Sequence, residues 1–183
     1  MFLINQVVMA LNDLAKNGTM IAVRSEATES NCKGRFDVAF NLYDQNFTKL
    51  ADLLIFEMKR PNVIKRSQFQ CAQIQQNPSK EKMRQMKSGI FENDRKGTWL
   101  VDNAIMLSKQ AAKYFRFCRR VILFDWYSMV GLTFAPFRRR DLLVHGIILQ
   151  EGAGRTLNFH QLLFAMVMEE LEEWEQGYPG VWP

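Results

Sequence analysis

Two carboxylates and one amine occupy strand-like positions in the first third of the chain. In the run LLIFEMKRP, Glu57 and Lys59 follow an apolar segment and precede Pro61. Side chains alternate between the two faces of a strand, so Glu57 and Lys59 share one face. Burying a charge is costly unless it is paired or bound to a metal. A charged pair at the end of an apolar strand therefore indicates a functional site.

Asp37 supplies the second carboxylate from the preceding run, FDVAFNLYD, in which apolar residues alternate with others. If 35–43 and 51–60 form an antiparallel hairpin, Asp37 converges with Glu57 and Lys59. Two carboxylates provide the hard oxygen ligands that Mg²⁺ or Mn²⁺ prefers. Such an ion can activate a water and stabilise charge on a phosphodiester. A neighbouring lysine can orient or deprotonate that water.

The elements that must position these residues follow from hydrophobic periodicity. Apolar positions with helical spacing predict a helix over 2–16, and a strand follows around 19–25. ADLLIFEMKRP is too short for a typical helix and predicts a central strand buried on both faces. A short helix is predicted near 66–76 and a basic, mobile insertion near 78–97.

The second half of the chain continues the alternation of helices and strands. A helical pattern extends from Trp99 to about Phe117. RRVILFDW and YSMVGLTFA predict two paired strands, LLVHGIILQ a further strand, and LNFHQLLFAMVMEELEEWE a long helix capped by Thr156 or Asn158. The order predicts a single mixed α/β domain over 1–183, with a central mixed sheet flanked by helices.

Gln110 and Tyr114 form a second cluster, on the helix predicted after the charged strands. Their spacing of i and i+4 places them on one helix face. Taken alone, the two are ordinary helix-surface residues. They gain significance only in combination with Asp37, Glu57 and Lys59.

Together these motifs resemble the PD-(D/E)xK nuclease superfamily, and they are similar to fungal members of unknown role. Asp37 matches the first acid, Glu57 the second, and Lys59 the lysine. Gln110 and Tyr114 resemble the QxxxY element of RecB-like nucleases. The resemblance covers roughly residues 2–175 and implies a restriction-endonuclease-like αβββαβ core.

The resemblance also implies a function: a magnesium- or manganese-dependent nuclease that hydrolyses phosphodiester bonds, in DNA. Asp37 and Glu57 would bind the metal, Lys59 would assist the water, and Gln110 and Tyr114 would position the substrate or Lys59. All five would then be catalytic-site residues.

The sequence departs from the family pattern in two places. Phe36 stands where the first motif has Pro, and the first helix offers Asp13 where many members carry Glu. Glu26 and Glu29 are the alternative third acids. A catalytically inactive module that binds nucleic acid or a protein partner, effector- or toxin-like, is therefore a second hypothesis. A third is an unrelated α/β protein in which Glu57 and Lys59 form a solvated surface pair.

Composition agrees with an anionic partner but does not require one. The formal charge is +5, with a pI near 9.2. Basic residues that could follow a phosphate backbone, or simply be solvated, are Lys80, Lys82, Arg84, Lys87, Arg95, Lys96 and Arg138–Arg140.

The cysteines and the lengths of the apolar runs predict an intracellular protein, cytoplasmic or nuclear, with no membrane segment. Three cysteines without CxxC spacing predict reduced thiols. The N-terminal run lacks a basic region typical of a signal peptide, and no stretch reaches the roughly 20 apolar residues of a membrane helix. Asp125 is interpreted as a turn cap, and His145 and His160 as structural or surface residues.

Overall fold

The computed structural model describes residues 2–16, 18–28, 35–70, 100, 102–137, 141–150 and 158–177. The first half contains helix α1 (Phe2–Leu14), strands β1 (Met20–Thr28), β2 (Arg35–Tyr43) and β3 (Lys49–Met58), and the short helix α2 (Arg66–Gln70). The second half contains α3 (Asn103–Lys113), a 3-10 turn (Tyr114–Arg116), β4 (Arg120–Phe124), β5 (Ser128–Phe137), β6 (Asp141–Gln150) and α4 (Phe159–Glu175).

The mixed α/β class is confirmed, and the first elements follow the predicted αβββαβ order except that two helices, α2 and α3, lie between β3 and β4. Predicted boundaries differ by a few residues: β1 extends beyond 25, and β3 ends at Met58. The predicted insertion near 78–97 lies outside the described residues, as do most residues of the predicted 66–76 helix beyond Gln70. No helix among the described residues is long and apolar enough to cross a bilayer.

The six described strands form one sheet in the order of their sequence, β1 to β6. Neighbouring strands are antiparallel except for β3 and β4, which are parallel. β3 therefore lies inside the sheet, and its residues 53–57 are buried on both faces. A buried internal position explains why this strand is continuously apolar instead of alternating.

Helices cover both faces of the sheet. On the α1/α4 face, Val7 and Leu11 of α1 join Leu163 of α4 over Phe40 and Phe56. On the α3 face, Leu107, Ala111 and Tyr114 pack over strand residues that include Ala39 and Ile55. Side chains alternate along each strand, so the odd-numbered residues of β2, which include Asp37 and Ala39, point to the α3 face.

Polar contacts fix the ends of the helices that flank the sheet. The Asn12 side chain bonds the backbone of Ile21 in both directions, at 2.9 and 2.8 Å, which ties α1 to β1. Asn158 begins α4 with a reciprocal capping box to Gln161, which decides between the two predicted caps.

A buried ionic network joins α4 to the start of β4. Arg120 is only 3% exposed, and its Nε donates to the Glu170 Oε2 atom at 2.8 Å. The other guanidinium nitrogens donate to Glu169 at 2.5 Å and Glu173 at 2.9 Å. Arg119 also donates to Glu170, at 2.7 Å. Carboxylates on one face of α4 therefore compensate the buried charge of Arg120.

Candidate active site

Asp37 and Glu57 lie on adjacent antiparallel strands at the same level. Val38 pairs with Phe56, so one step further in that register Asp37 is opposite Glu57. Directly opposed residues project from the same face with Cβ atoms about 5 Å apart. Asp37 also accepts a hydrogen bond, through Oδ2, from the backbone N–H of Met58 at 2.8 Å. The predicted convergence of the two acids is therefore present.

Lys59 joins the two acids from the residue just beyond the end of β3. Its Nζ lies 2.9 Å from the Glu57 Oε2 atom. The backbone N–H of Lys59 donates to the Phe124 carbonyl at 2.7 Å, which continues the β3–β4 ladder by one residue. This bond keeps the chain extended, so Lys59 stays on the same face as Glu57.

The Glu57–Lys59 pair is buried, not solvated. Glu57 is 4% exposed overall, and the Lys59 side chain is 14% exposed. Their strand is internal to the sheet, with β2 on one side and β4 on the other. The alternative of a surface pair on an edge strand is therefore wrong.

Helix α3 brings Gln110 over the charged pair. The Gln110 Oε1 atom accepts a hydrogen bond from Lys59 Nζ at 3.0 Å. Its Nε2 group contacts the Tyr114 hydroxyl at 3.2 Å and Glu57 Oε2 at 3.4 Å. One amide thus contacts the acid, the amine and the phenol at once.

Tyr114 lies in the 3-10 turn that follows α3, although the sequence predicted it within the helix. Its side chain still shares the face of Gln110. Burial raises the pKa of the Tyr114 phenol, and the hydrogen bond and charge of Glu57 and the charge of Asp37 raise it further, while the Gln110 bond lowers it. The phenol therefore remains neutral and available as a hydrogen-bond donor to Glu57.

One oxygen of the Glu57 carboxylate has no hydrogen-bond partner among the described residues. Its Oε1 atom is buried and accepts no hydrogen bond from the described residues. A buried carboxylate oxygen without a donor is costly, and a cation or a bound water would satisfy it. Mg²⁺ typically takes one or two carboxylates and completes its shell with waters and substrate phosphates. Asp37 and Glu57 fit that donor set.

A third acidic ligand is not found among the residues described. No group of three or more His, Cys, Asp or Glu side chains there could hold a metal ion. Helix α1, which carries Asp13, packs on the opposite face of the sheet. Glu29 lies outside the described residues, and of Glu26 only the backbone position in β1 is described.

Comparison with known proteins assigns neither a family nor a function to this chain. No family model, no curated protein and no solved structure matches this chain. The function of the cluster must therefore be argued from its own chemistry.

Asp125 is a structural turn residue, as predicted. Its fully buried carboxylate accepts backbone N–H bonds from Ser128 at 2.8 Å and Tyr127 at 3.3 Å. It also accepts one from Ile64 at 2.7 Å. This last bond ties the segment after β3 to the turn after β4, a link that local sequence patterns did not predict.

Other residues considered from the sequence do not join the site. Cys118 is buried, burial raises the pKa of its thiol, and its Sγ contacts the Arg120 carbonyl at 3.4 Å, so it is not a nucleophile. His160 lies at the start of α4, on the opposite face of the sheet. His145 is in β6, without a described side chain. The following predicted basic residues lie outside the described part of the chain: Lys80, Lys82, Arg84, Lys87, Arg95, Lys96 and Arg138–Arg140.

Proposed function

We propose that this protein is a metal-dependent nuclease, similar to the PD-(D/E)xK superfamily, that hydrolyses phosphodiester bonds in DNA. The observation that carries the proposal is the Glu57 carboxylate. It is buried beside an opposed Asp37, bonded to Lys59 on one oxygen, and without a donor among the described residues on the other.

Asp37 and Glu57 would hold Mg²⁺ or Mn²⁺ with their carboxylate oxygens. When bound, such an ion supplies a water of lowered pKa and charge stabilisation for the phosphoryl oxygens. A buried, low-dielectric position strengthens the attraction between the carboxylates and a divalent cation. The buried Glu57 and the partly buried Asp37 are therefore better placed for this role than fully exposed acids.

Lys59 would orient the attacking water and stabilise the negative charge that develops on the phosphate. An ammonium group has three N–H donors, and in the described structure Glu57 and Gln110 accept two of them. The third can donate to a water or phosphate oxygen. Because the amine is held by two partners before substrate arrives, little reorganisation is needed during the reaction.

Gln110 and Tyr114 would act through Lys59 and Glu57. Gln110 fixes the amine by accepting a hydrogen bond from it, and Tyr114 contacts both Gln110 and Glu57. Because burial raises the pKa of the Tyr114 phenol, the phenol stays neutral and can remain a donor to the carboxylate. This agrees with the positioning role that the family resemblance implies for the two residues.

The direct test is cleavage of purified DNA with Mg²⁺ or Mn²⁺ and with EDTA. We expect metal-dependent cleavage that falls on the order of 100-fold in Glu57→Gln and in Lys59→Ala. Matched controls are Glu172→Gln and Lys16→Ala, which change exposed residues away from the cluster. Equal cleavage by the parent and both site variants would contradict the proposal.

A catalytically inactive binding module is the second candidate. The observation that favours it is the absence of a third acidic ligand within the described residues. Thermal unfolding measured during titration with a metal ion distinguishes the nuclease from the inactive module. A nuclease should gain thermal stability with Mn²⁺ in the parent but not in Glu57→Gln, because a ligand stabilises only the state that binds it. An inactive module should show no such difference.

A further inference from the structure

Exposed aromatic side chains gather at the turn between β4 and β5. Trp126 is 61% exposed and Tyr127 is 49% exposed. Met58, at the end of β3, is 49% exposed and is level with Phe124 in the parallel ladder. Large exposed side chains grouped at one place indicate a contact surface more often than the same residues scattered singly. We call Asp125–Tyr127 the aromatic turn.

The aromatic turn is held rigidly. Trp126 has φ of 74°, a left-handed conformation that is unfavourable for a bulky non-glycine residue. The buried Asp125 carboxylate maintains it by accepting the N–H groups of Tyr127 and Ser128. The indole packs on Phe124, with ring centroids 5.7 Å apart. The turn therefore presents the exposed Trp126 ring to solvent in a fixed position.

The aromatic turn lies at the end of the sheet that carries the proposed catalytic cluster. Lys59 bonds the Phe124 carbonyl, and Trp126 follows Phe124 by two residues. Phe124 packs on the α1/α4 face, whereas Glu57 points to the α3 face. An extended ligand that crosses the end of the sheet would therefore contact Trp126 on one side and the carboxylates on the other.

Two basic side chains lie on the segment that is hydrogen-bonded to the aromatic turn. Arg60 and Lys65 are exposed on the segment between β3 and α2. The same segment is attached to the aromatic turn, because Ile64 donates to the Asp125 carboxylate. Exposed rings combined with cationic side chains are the features with which proteins bind single strands: rings stack on bases, and cations pair with phosphates.

We propose that the aromatic turn is a base-stacking subsite for a nucleic-acid strand whose bases are unpaired. Trp126 stacks on one base, Tyr127 extends the platform, and Arg60 and Lys65 guide the backbone toward Glu57. A base inside a duplex already has stacking neighbours and cannot offer its face to the indole. The inference rests on the proposed nuclease function and deepens it, since it names single-stranded or locally unpaired DNA as the substrate.

The test measures binding with EDTA present, so that cleavage plays no part. The probes are a labelled oligodeoxythymidylate, a hairpin duplex, and an abasic oligomer with the same number of phosphates. Stacking of one base contributes about 1–3 kcal/mol, so Trp126→Ala should weaken binding to the single strand by about 5-fold to 100-fold. Its affinity for the duplex and the abasic oligomer should be unchanged.

The matched control is Phe47→Ala. Phe47 is likewise an exposed aromatic residue at positive φ, 74% exposed with φ of 60°, but it lies in the β2–β3 turn at the opposite end of the sheet. Its variant should bind all three probes like the parent.

Two further variants protect the test against misfolding. Trp126→Gly removes the ring and relieves the positive φ, so it should fold well and still lose the single-strand affinity. Trp126→Phe keeps a ring and should retain most of the affinity. If Trp126→Gly binds the single strand as tightly as the parent, or weakens all three probes equally, the stacking subsite is refuted.

The failure of this inference is distinguishable from failure of the nuclease proposal. If Glu57→Gln abolishes metal-dependent cleavage while Trp126→Gly leaves single-strand binding intact, the nuclease stands and the subsite does not. If Trp126→Gly loses single-strand affinity but no cleavage is found with any metal, the subsite stands and the chain is a binding module.

Discussion

The side-chain amine of Lys59 donates a 3.0 Å hydrogen bond to the Gln110 amide oxygen, across 51 residues of sequence. This bond joins the half of the chain that carries the carboxylates to the half that carries helix α3. Gln110 in turn contacts Tyr114 and Glu57. Four of the five predicted site residues thus form one hydrogen-bonded cluster, and Asp37 lies opposite its Glu57 member on the adjacent strand.

Removing the Gln110 amide should impair catalysis more than DNA binding. In Gln110→Ala, the Lys59 amine keeps its hydrogen bond to Glu57 but loses the one to residue 110, so it becomes less well oriented. We expect kcat to fall about 10-fold with KM little changed, since misplacement of a catalytic group acts on the chemical step. Met106→Ala, a change of a 66% exposed residue one helical turn earlier, is the control. A rise in KM alone would argue against a positioning role.

Replacing Tyr114 should change how the free energy of unfolding depends on alkaline pH. The folded-state pKa of the phenol is raised above its ordinary value near 10. Below pH 10 both states hold the proton, and the stabilisation is fully present. Above pH 10 the unfolded chain loses the proton first, so the free energy of unfolding falls by up to about 1.4 kcal/mol per pH unit. Tyr114→Phe lacks this contribution.

Urea unfolding between about pH 8 and pH 11 measures the difference. The free energy of unfolding of Tyr114→Phe should start about 1 kcal/mol lower, because a buried hydrogen bond is lost, and decline less steeply than that of the parent. The exposed Tyr127→Phe should decline in parallel with the parent. Parallel curves for Tyr114→Phe would show that the phenol is not protected from ionisation.

The order of elements and the shared face of the two acids could be predicted, because both depend on local periodicity. Hydrophobic alternation along 35–43 separates Asp37 from the apolar face of its strand, and the antiparallel hairpin with 51–60 brings Asp37 level with Glu57. Burial of β3 followed from its continuous apolar run. These features require only neighbouring residues and one short connection.

Contacts between distant segments could not be predicted from periodicity. The Asp125–Ile64 bond spans 61 residues, and no local pattern specifies which loop meets which turn. The positive φ of Trp126 was also missed, because the carboxylate that maintains it acts through tertiary structure. For Arg120 a signal did exist: Glu169 and Glu173, at i and i+4 on a helix, with an arginine at the start of an apolar strand.

Loss of the Asp125 carboxylate should destabilise the protein strongly. Asp125→Ala leaves three backbone N–H groups without their acceptor: those of Ile64, Ser128 and, in a partly buried bond, Tyr127. The two buried donors, of Ile64 and Ser128, should together cost about 2–6 kcal/mol. Asp125→Asn keeps one acceptor oxygen and should lose less. Equilibrium urea unfolding gives both values. The exposed Asp13→Ala is the control, and similar losses for Asp125→Ala and Asp13→Ala would refute the role.

The Arg120–Glu170 pair should show strong coupling. Both residues are almost fully buried, so Arg120→Met or Glu170→Leu alone leaves a buried charge short of a partner and should cost about 3–5 kcal/mol. The double variant should lose less than the sum of the two. A double-mutant cycle of unfolding free energies measures this, with Glu169→Ala, 60% exposed in its side chain, as a control expected to cost under about 1 kcal/mol. Additive losses would contradict the coupling.

The parallel pairing of β3 with β4 has a kinetic consequence. All other neighbouring strands of the sheet are consecutive antiparallel partners, but residues 59–119 separate these two. Closing so long a connection delays this contact relative to local hairpins. The N-terminal and C-terminal halves can each begin to form before they meet, and Glu57 reaches Gln110 only when they do. The orientation of Lys59 by Gln110 should therefore arise at the last stage of folding, so in the proposed nuclease a half-folded chain would hold its two carboxylates without a positioned amine.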